Sequence, residues 1–185
     1  MNSHSLKEKG DVVKILKIML LAVVLLFTLQ AETPKKVDPV KKAAMLKLKK
    51  EMLGKWKAYS KASQGATRGI TADELIKWDK EDRDFVLVDV REPSEVAAGK
   101  IIAINFKAIP RGMVAPAIGK KLALKPNQTV VFYCKLGSRS AMVAKETAEV
   151  YGYENIFYLK GGIMGWIKAG HKIENFMGEF SKVGK

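Results

Sequence analysis

The stretch VVFYCKLGSRSAMVAK, Val130 to Lys145, decides the fold. Four apolar or aromatic residues lead into Cys134, and a polar turn, KLGSRS, separates them from a run of small residues at helical spacing. A short, unbroken apolar run closed by a turn is the signature of a strand buried on both faces. Gly137 supplies backbone angles closed to other residues, and Ser140 is placed to cap the helix that follows. Two further runs of the same kind flank this unit: FVLVDV, Phe85 to Val90, and NIFYL, Asn155 to Leu159. Helical patterns alternate with them. In TADELIKW, Thr71 and Glu74 form a capping box for a helix ending near Trp78. SAMVAKETAEVYG and GGIMGWIKAG are helices stopped by Gly152 and Gly170. Alternating strands and helices predict an α/β domain with a mainly parallel central sheet flanked by helices.

In such sheets the functional crevice lies beyond the carboxyl ends of the strands, where Cys134, the only cysteine of the chain, falls. Backbone N–H groups of a glycine turn, joined to a helix N-terminus, make an anion cradle, and Lys135 and Arg139 add positive charge. That surrounding favours a reactive thiolate. One cysteine excludes an internal disulfide framework and a Cys-rich zinc site, so no metal and no cofactor is expected. The two histidines, His4 near the N-terminus and His171 in a late turn expected to be solvated, do not suggest a Cys–His pair.

The formal charge of +14 is uneven. Residues 1–31 hold 4 lysines against 2 acidic residues, whereas residues 32–66 hold 10 lysines against 3. The first segment places Lys7, Lys9, Lys14 and Lys17 ahead of the apolar run Ile18 to Leu29, the order of an export signal. Ala31 offers a cleavage point, although Leu29 is bulky for its position; uncleaved, Val12 to Ala31 is long enough to anchor in a bilayer. Both outcomes predict an exported domain, in the periplasm or on the outer face of the inner membrane. Residues 32–66 read as a basic linker and amphipathic helix with Met45, Leu48, Met52, Trp56 and Tyr59 on one face. Residues 35–61 suit an anionic membrane surface, or else the stripe packs on its own domain. Nucleic acid is not an expected partner of an exported segment. The domain itself is expected over residues 67–180.

From about Ile70 to Ile173 the chain resembles the single-domain rhodanese-like sulfurtransferase family. LVDVREPSEVAAGKI carries the family's Asp-Val-Arg-Glu through Asp89, Val90, Arg91 and Glu92; YCKLGSRSA is its active-site loop; GYENIFYLKGGIMGW is its closing Gly-Gly-x-x-x-Trp element. The resemblance implies that Cys134 carries a sulfane sulfur as a persulfide, taken from a small anionic donor such as thiosulfate and passed to a thiol or cyanide-like acceptor. It implies a substrate-binding loop of Lys135, Leu136, Gly137, Ser138 and Arg139, supported by Asp89, Arg91 and Ser140. The segment GKIIAINF departs from the family's usual Gly-His-Ile-Pro-Gly-Ala, with Lys100 in place of His and Ile102 in place of Pro-Gly.

Two alternatives fit parts of the pattern. A cysteine-dependent phosphatase also uses a thiolate in a backbone cradle, usually with five residues between Cys and Arg; here four separate Cys134 from Arg139. A membrane-tethered module that binds an anion or presents a persulfide without catalysis is the other.

Overall fold

The computed structural model describes residues 38–180, so the apolar run Ile18 to Leu29, and the export or anchoring read from it, lies outside the described residues. Among the described residues no helix is long and apolar enough to cross a membrane. The chain divides into two units, Met1–Lys49 and Lys50–Lys185, with the division inside the first described helix, α1 (Pro39–Ala66).

The second unit is built on a five-stranded, wholly parallel sheet in the order β1 (Arg68–Ile70), β6 (Ile156–Leu159), β5 (Val130–Tyr133), β2 (Val86–Asp89), β4 (Phe106–Ala108). The three apolar runs are its three inner strands, and every residue of β5 is fully buried. Side chains alternate between the two faces. Val130, Phe132 and Cys134 join Val88, Ile156 and Tyr158 in a core covered by α4 (Val114–Ala117) and α5 (Ser138–Tyr151). Val131 and Tyr133 join Leu87 and Leu159 in a second core, under α2 (Ala72–Lys80) and α6 (Gly162–Lys168). The capping box of α2 is formed: Thr71 Oγ1 accepts from Glu74 N, and Thr71 N donates to Glu74 Oε2 at 2.8 Å. Gly152, with φ +73°, ends α5.

Two features, the small sheet and the setting of His171, differ from the sequence reading. A small antiparallel sheet of β3 (Lys100–Ile101), β7 (Ile173–Asn175) and β8 (Gly178–Phe180) adjoins the core through Ile101 and Ile173. The segment in which Lys100 and Ile102 depart from the usual motif supplies β3, and β4 follows it on the edge of the main sheet. On α1, Met45, Leu48 and Met52 are exposed (71%, 57% and 62%). In its last turns Ser60 and Ser63 are buried, and Tyr158 Oη donates to Gln64 O at 3.4 Å. His171, expected to be solvated, rests 4.7 Å from the Trp166 ring and pairs with Asp73 at 3.0 Å.

The order of strands fixes where a site forms. From β2 the chain moves outward to β4, and from β5 it moves the other way to β6, so the carboxyl ends of β2 and β5 flank a point where connections diverge. Such a point leaves a crevice.

Candidate active site

Cys134 follows β5 directly and is 1% exposed. The chain then turns through Lys135 and Leu136 to Gly137, whose φ of +91° lets it serve as N-cap of α5. That conformation aims the Gly137 N–H at the cysteine, with N to Sγ at 3.2 Å. Sγ thus receives a backbone hydrogen bond at the positive end of a 14-residue helix, an arrangement that stabilises negative charge on the sulfur or on an atom bound to it.

Ser140 does not cap this helix. The helix begins two residues earlier, at Ser138, because Gly137 in the left-handed conformation already occupies the cap position. Ser140 is fully buried in the first turn, where Oγ donates to Gly137 O at 3.0 Å and lies 3.6 Å from Sγ. It braces the loop against the thiol.

The loop is also held from behind. Cys134 O accepts from Ile163 N at 2.8 Å, and Lys135 O accepts from Met164 N at 3.1 Å, so the first turn of α6 binds the carbonyls of the active loop. The approach requires glycine at position 162: a Cβ there, at φ +56°, would stand 2.2 Å from Cys134 O and 2.7 Å from the Lys135 carbonyl carbon. The Gly-Gly-x-x-x-Trp element is therefore the clamp of the loop.

Arg139 is not free. Its guanidinium makes a two-pronged bond to Glu95, Nη1 to Oε2 and Nη2 to Oε1, both 2.7 Å. Those bonds hold the Glu95 carboxyl down at about 2 despite partial burial. They also raise Arg139 above its ordinary value, with a further contribution from the Cys134 sulfur. Glu95, in α3 (Pro93–Ala97), is the residue that the sequence reading missed. Its partner lies 44 positions away, and the only local sign is its place three residues after Glu92, whose backbone N–H donates to it at 3.2 Å.

Asp89 and Arg91 close the neighbouring strand end. Asp89 is fully buried and Arg91 is 5% exposed. Arg91 donates to the Asp89 carboxylate through Nε and through Nη2, the latter 2.6 Å from Oδ2, while Nη1 donates to Glu95 O (3.0 Å) and Nη2 to Gly99 O (2.6 Å). Burial opposes the Arg91 charge, but Asp89 outweighs it and the pKa is raised. The pair ties β2 to the middle of α3 and to the turn that follows it, and so places Glu95.

Lys135 lines a cavity of about 250 Å³ with Arg91, Glu95, Ile163, Met164 and Ile167, and Leu136 projects outward at 62% exposure. The described structure thus brings Cys134, Gly137, Ser140 and Arg139 together, joins Arg139 to Glu95, and sets Lys135 at the rim.

The rhodanese-like domain family matches residues 71–169, which contain this whole arrangement. The chain belongs to the rhodanese-like domain family. Its five-strand parallel sheet flanked by helices is the rhodanese fold. The chain is 36% identical over 111 residues to a Mycobacterium tuberculosis protein named "Probable adenylyltransferase/sulfurtransferase MoeZ", a match covering 59% of this chain and 26% of the relative. It is 31% identical to the polysulfide-sulfur transferase homodimer of Wolinella succinogenes, covering 68% of this chain and 91% of that one at a TM-score of 0.57. A Rhodopseudomonas palustris protein named "Possible Tyrosine Phosphatase" is 32% identical, covering 64% and 93% at a TM-score of 0.56. Within the rhodanese-like domain, the Asp-Val-Arg-Glu segment scaffolds Glu95, and the closing glycine element clamps the cysteine loop.

Proposed function

We propose that this protein is a sulfurtransferase that carries sulfane sulfur on Cys134. Membership of the rhodanese-like family and the sulfurtransferase names among its relatives support sulfur transfer in general. The observation that carries the finer reading is the Cys134 sulfur at the positive end of α5 with a backbone N–H on it. In the first half-reaction the Cys134 thiolate attacks the outer sulfur of a thiosulfate-like anion. The S–S bond of the donor breaks, sulfite leaves with the electron pair, and Cys134 holds a persulfide. The terminal sulfur then lies in a field of N–H dipoles suited to its charge. In the second half-reaction a thiolate or cyanide attacks that terminal sulfur and Cys134 leaves as thiolate. Neither step needs an external oxidant or reductant.

The similarity to a protein named as a phosphatase gives the rival reading its specific support. Against it stand the four-residue spacing between Cys134 and Arg139 and the engagement of Arg139 by Glu95, which takes the fork that a phosphoryl group needs. Thiosulfate:cyanide sulfur transfer, assayed beside aryl-phosphate hydrolysis in the wild type and in Cys134→Ser, separates the two. Sulfur transfer lost in a folded Cys134→Ser protein is expected; aryl-phosphate hydrolysis as the dominant activity contradicts the proposal.

We further propose that the domain works outside the cytoplasm, at an anionic membrane surface. α1 carries 8 lysines against one acidic residue, beside its exposed methionine and aromatic stripe. Each lysine near such a surface contributes about 1 kcal/mol, screened by salt. Membrane fractions of cells expressing the full chain are expected to retain the protein at low salt. Uncleaved protein in the soluble cytoplasm contradicts both export and retention.

A further inference from the structure

A second cavity, of about 370 Å³, opens on the Arg139 side of the loop, lined by Glu92, Arg111, Gly112, Ala115, Arg139 and Glu146. Its volume falls in the range of small-molecule sites, about 300–1,000 Å³. The four charges come from three elements that meet at the carboxyl edge of the sheet. Glu92 follows the Asp89–Arg91 pair. Arg111 begins the 3₁₀ turn Arg111–Met113, where its backbone N–H donates to Val90 O at 3.1 Å. Arg139 and Glu146 lie seven residues apart on α5 and so share one face of it.

What sets this cavity apart is its unmatched charge. Arg139 is satisfied by Glu95, but Glu92, Arg111 and Glu146 form no ion pair among the described residues. A guanidinium and two carboxylates that line one cavity without ion pairs complement a ligand with both an anionic and a cationic group. The satisfied Arg139 joins this cavity to the cysteine loop. The Lys135 cavity is different: it is walled by Ile163, Met164, Ile167 and Ile173, with an acidic residue only at Glu95.

We propose that the Arg111 cavity is the acceptor subsite and selects a small zwitterionic thiol, one bearing an α-ammonium and a carboxylate. Arg111 takes the carboxylate, and Glu146 with Glu92 takes the ammonium. This rests on the sulfurtransferase reading above. Held there, the acceptor thiolate attacks the terminal sulfur of the Cys134 persulfide. A new S–S bond forms on the acceptor, the Cys134–sulfur bond breaks, and its electron pair returns to Cys134 as thiolate. The acceptor leaves as a persulfide, with no net redox change.

The test uses the full chain, loaded with thiosulfate, with loading read first from the intact mass. Three acceptors are then compared by kcat/KM: cysteine, N-acetylcysteine, which lacks the ammonium, and cysteine methyl ester, which lacks the carboxylate. Arg111→Gln is expected to cut the ratio of cysteine to its methyl ester about three- to tenfold and to leave the ratio of cysteine to N-acetylcysteine unmoved. Glu146→Gln is expected to do the reverse. Loading with ratios that neither substitution moves overturns the subsite alone. Failure to load overturns the sulfurtransferase reading and the subsite with it. If Arg111→Gln loses its fold, Arg111→Lys replaces it, with the ratio of cysteine to its methyl ester expected to fall below the wild-type value and an unmoved ratio counting against the subsite.

Discussion

The strands β2 and β5 lie side by side and end in opposite ways. At the end of β2 the charges of Asp89 and Arg91 are buried and bonded to each other and to backbone carbonyls. At the end of β5 a single thiol is braced by one N–H, while Lys135 at the rim and Arg111 across the loop form no ion pairs among the described residues. Matched charges in a buried place have their reach used up by the fold and act as scaffolding. Unmatched charges beside a nucleophile are available to a substrate. Residues of the same type, Arg91, Arg139 and Arg111, thus play graded parts: fully bound, bound by one carboxylate, and open.

The largest expected effect comes from breaking the clamp behind β5. Gly162→Ala puts a methyl group into the Cys134 carbonyl, so the loop must move. A displacement on the order of 1 Å at a reacting centre costs about a hundredfold in rate. Sulfur transfer in Gly162→Ala is expected to fall by about that factor, while the far-ultraviolet circular dichroism stays native. Near-normal turnover means that the clamp does not set the loop.

Breaking the matched end acts on stability instead. Asp89→Asn leaves Arg91 buried beside a neutral partner, and removing one member of a buried pair costs about 3–5 kcal/mol. The expected result is a large fall in the denaturation midpoint, with persulfide loading retained in the folded fraction. Loss of loading from a protein of unchanged stability would make Asp89 chemical rather than structural.

The intermediate case, Glu95 with Arg139, sharpens the comparison. The folded carboxyl sits at about 2 and below its ordinary value of 4.5, so the pair contributes fully above pH 4.5 and is lost as pH falls through about 2. Between these limits wild-type stability is expected to rise with pH more steeply than that of Glu95→Gln, as thermal unfolding against pH can show. The substitution also frees the Arg139 fork and removes a negative charge, so the KM for thiosulfate is expected to fall severalfold. An unchanged KM places donor recognition elsewhere, at Lys135.

These contrasts were legible in the sequence to different depths. The inner strands announce themselves because parallel strands buried on both faces are continuous apolar runs, and the cysteine at the end of one marks the crevice. The edge strands β1 and β4, of three residues each, carry no such pattern. The small sheet of β3, β7 and β8 is held by pairing across more than 70 residues, such as Lys100 with Glu174. The cap of α5 was misplaced because a left-handed glycine, not a serine side chain, starts it. Glu95 itself, and the part that Gly162 plays within the closing motif, escaped for one reason. Each has a visible residue type but acts on a partner distant in the chain, Arg139 for one and the Cys134 carbonyl for the other.

The central claim is that the strand-end thiol is a sulfur carrier, and the mass of the full chain tests it most directly. Because Cys134 is the only cysteine, brief treatment with thiosulfate followed by removal of the donor leaves one residue to carry the product. The account predicts a gain of one sulfur atom, located by peptide mapping at Cys134 and discharged by cyanide with release of thiocyanate. An unchanged mass under these conditions, or an added sulfur that cyanide does not remove, would contradict it.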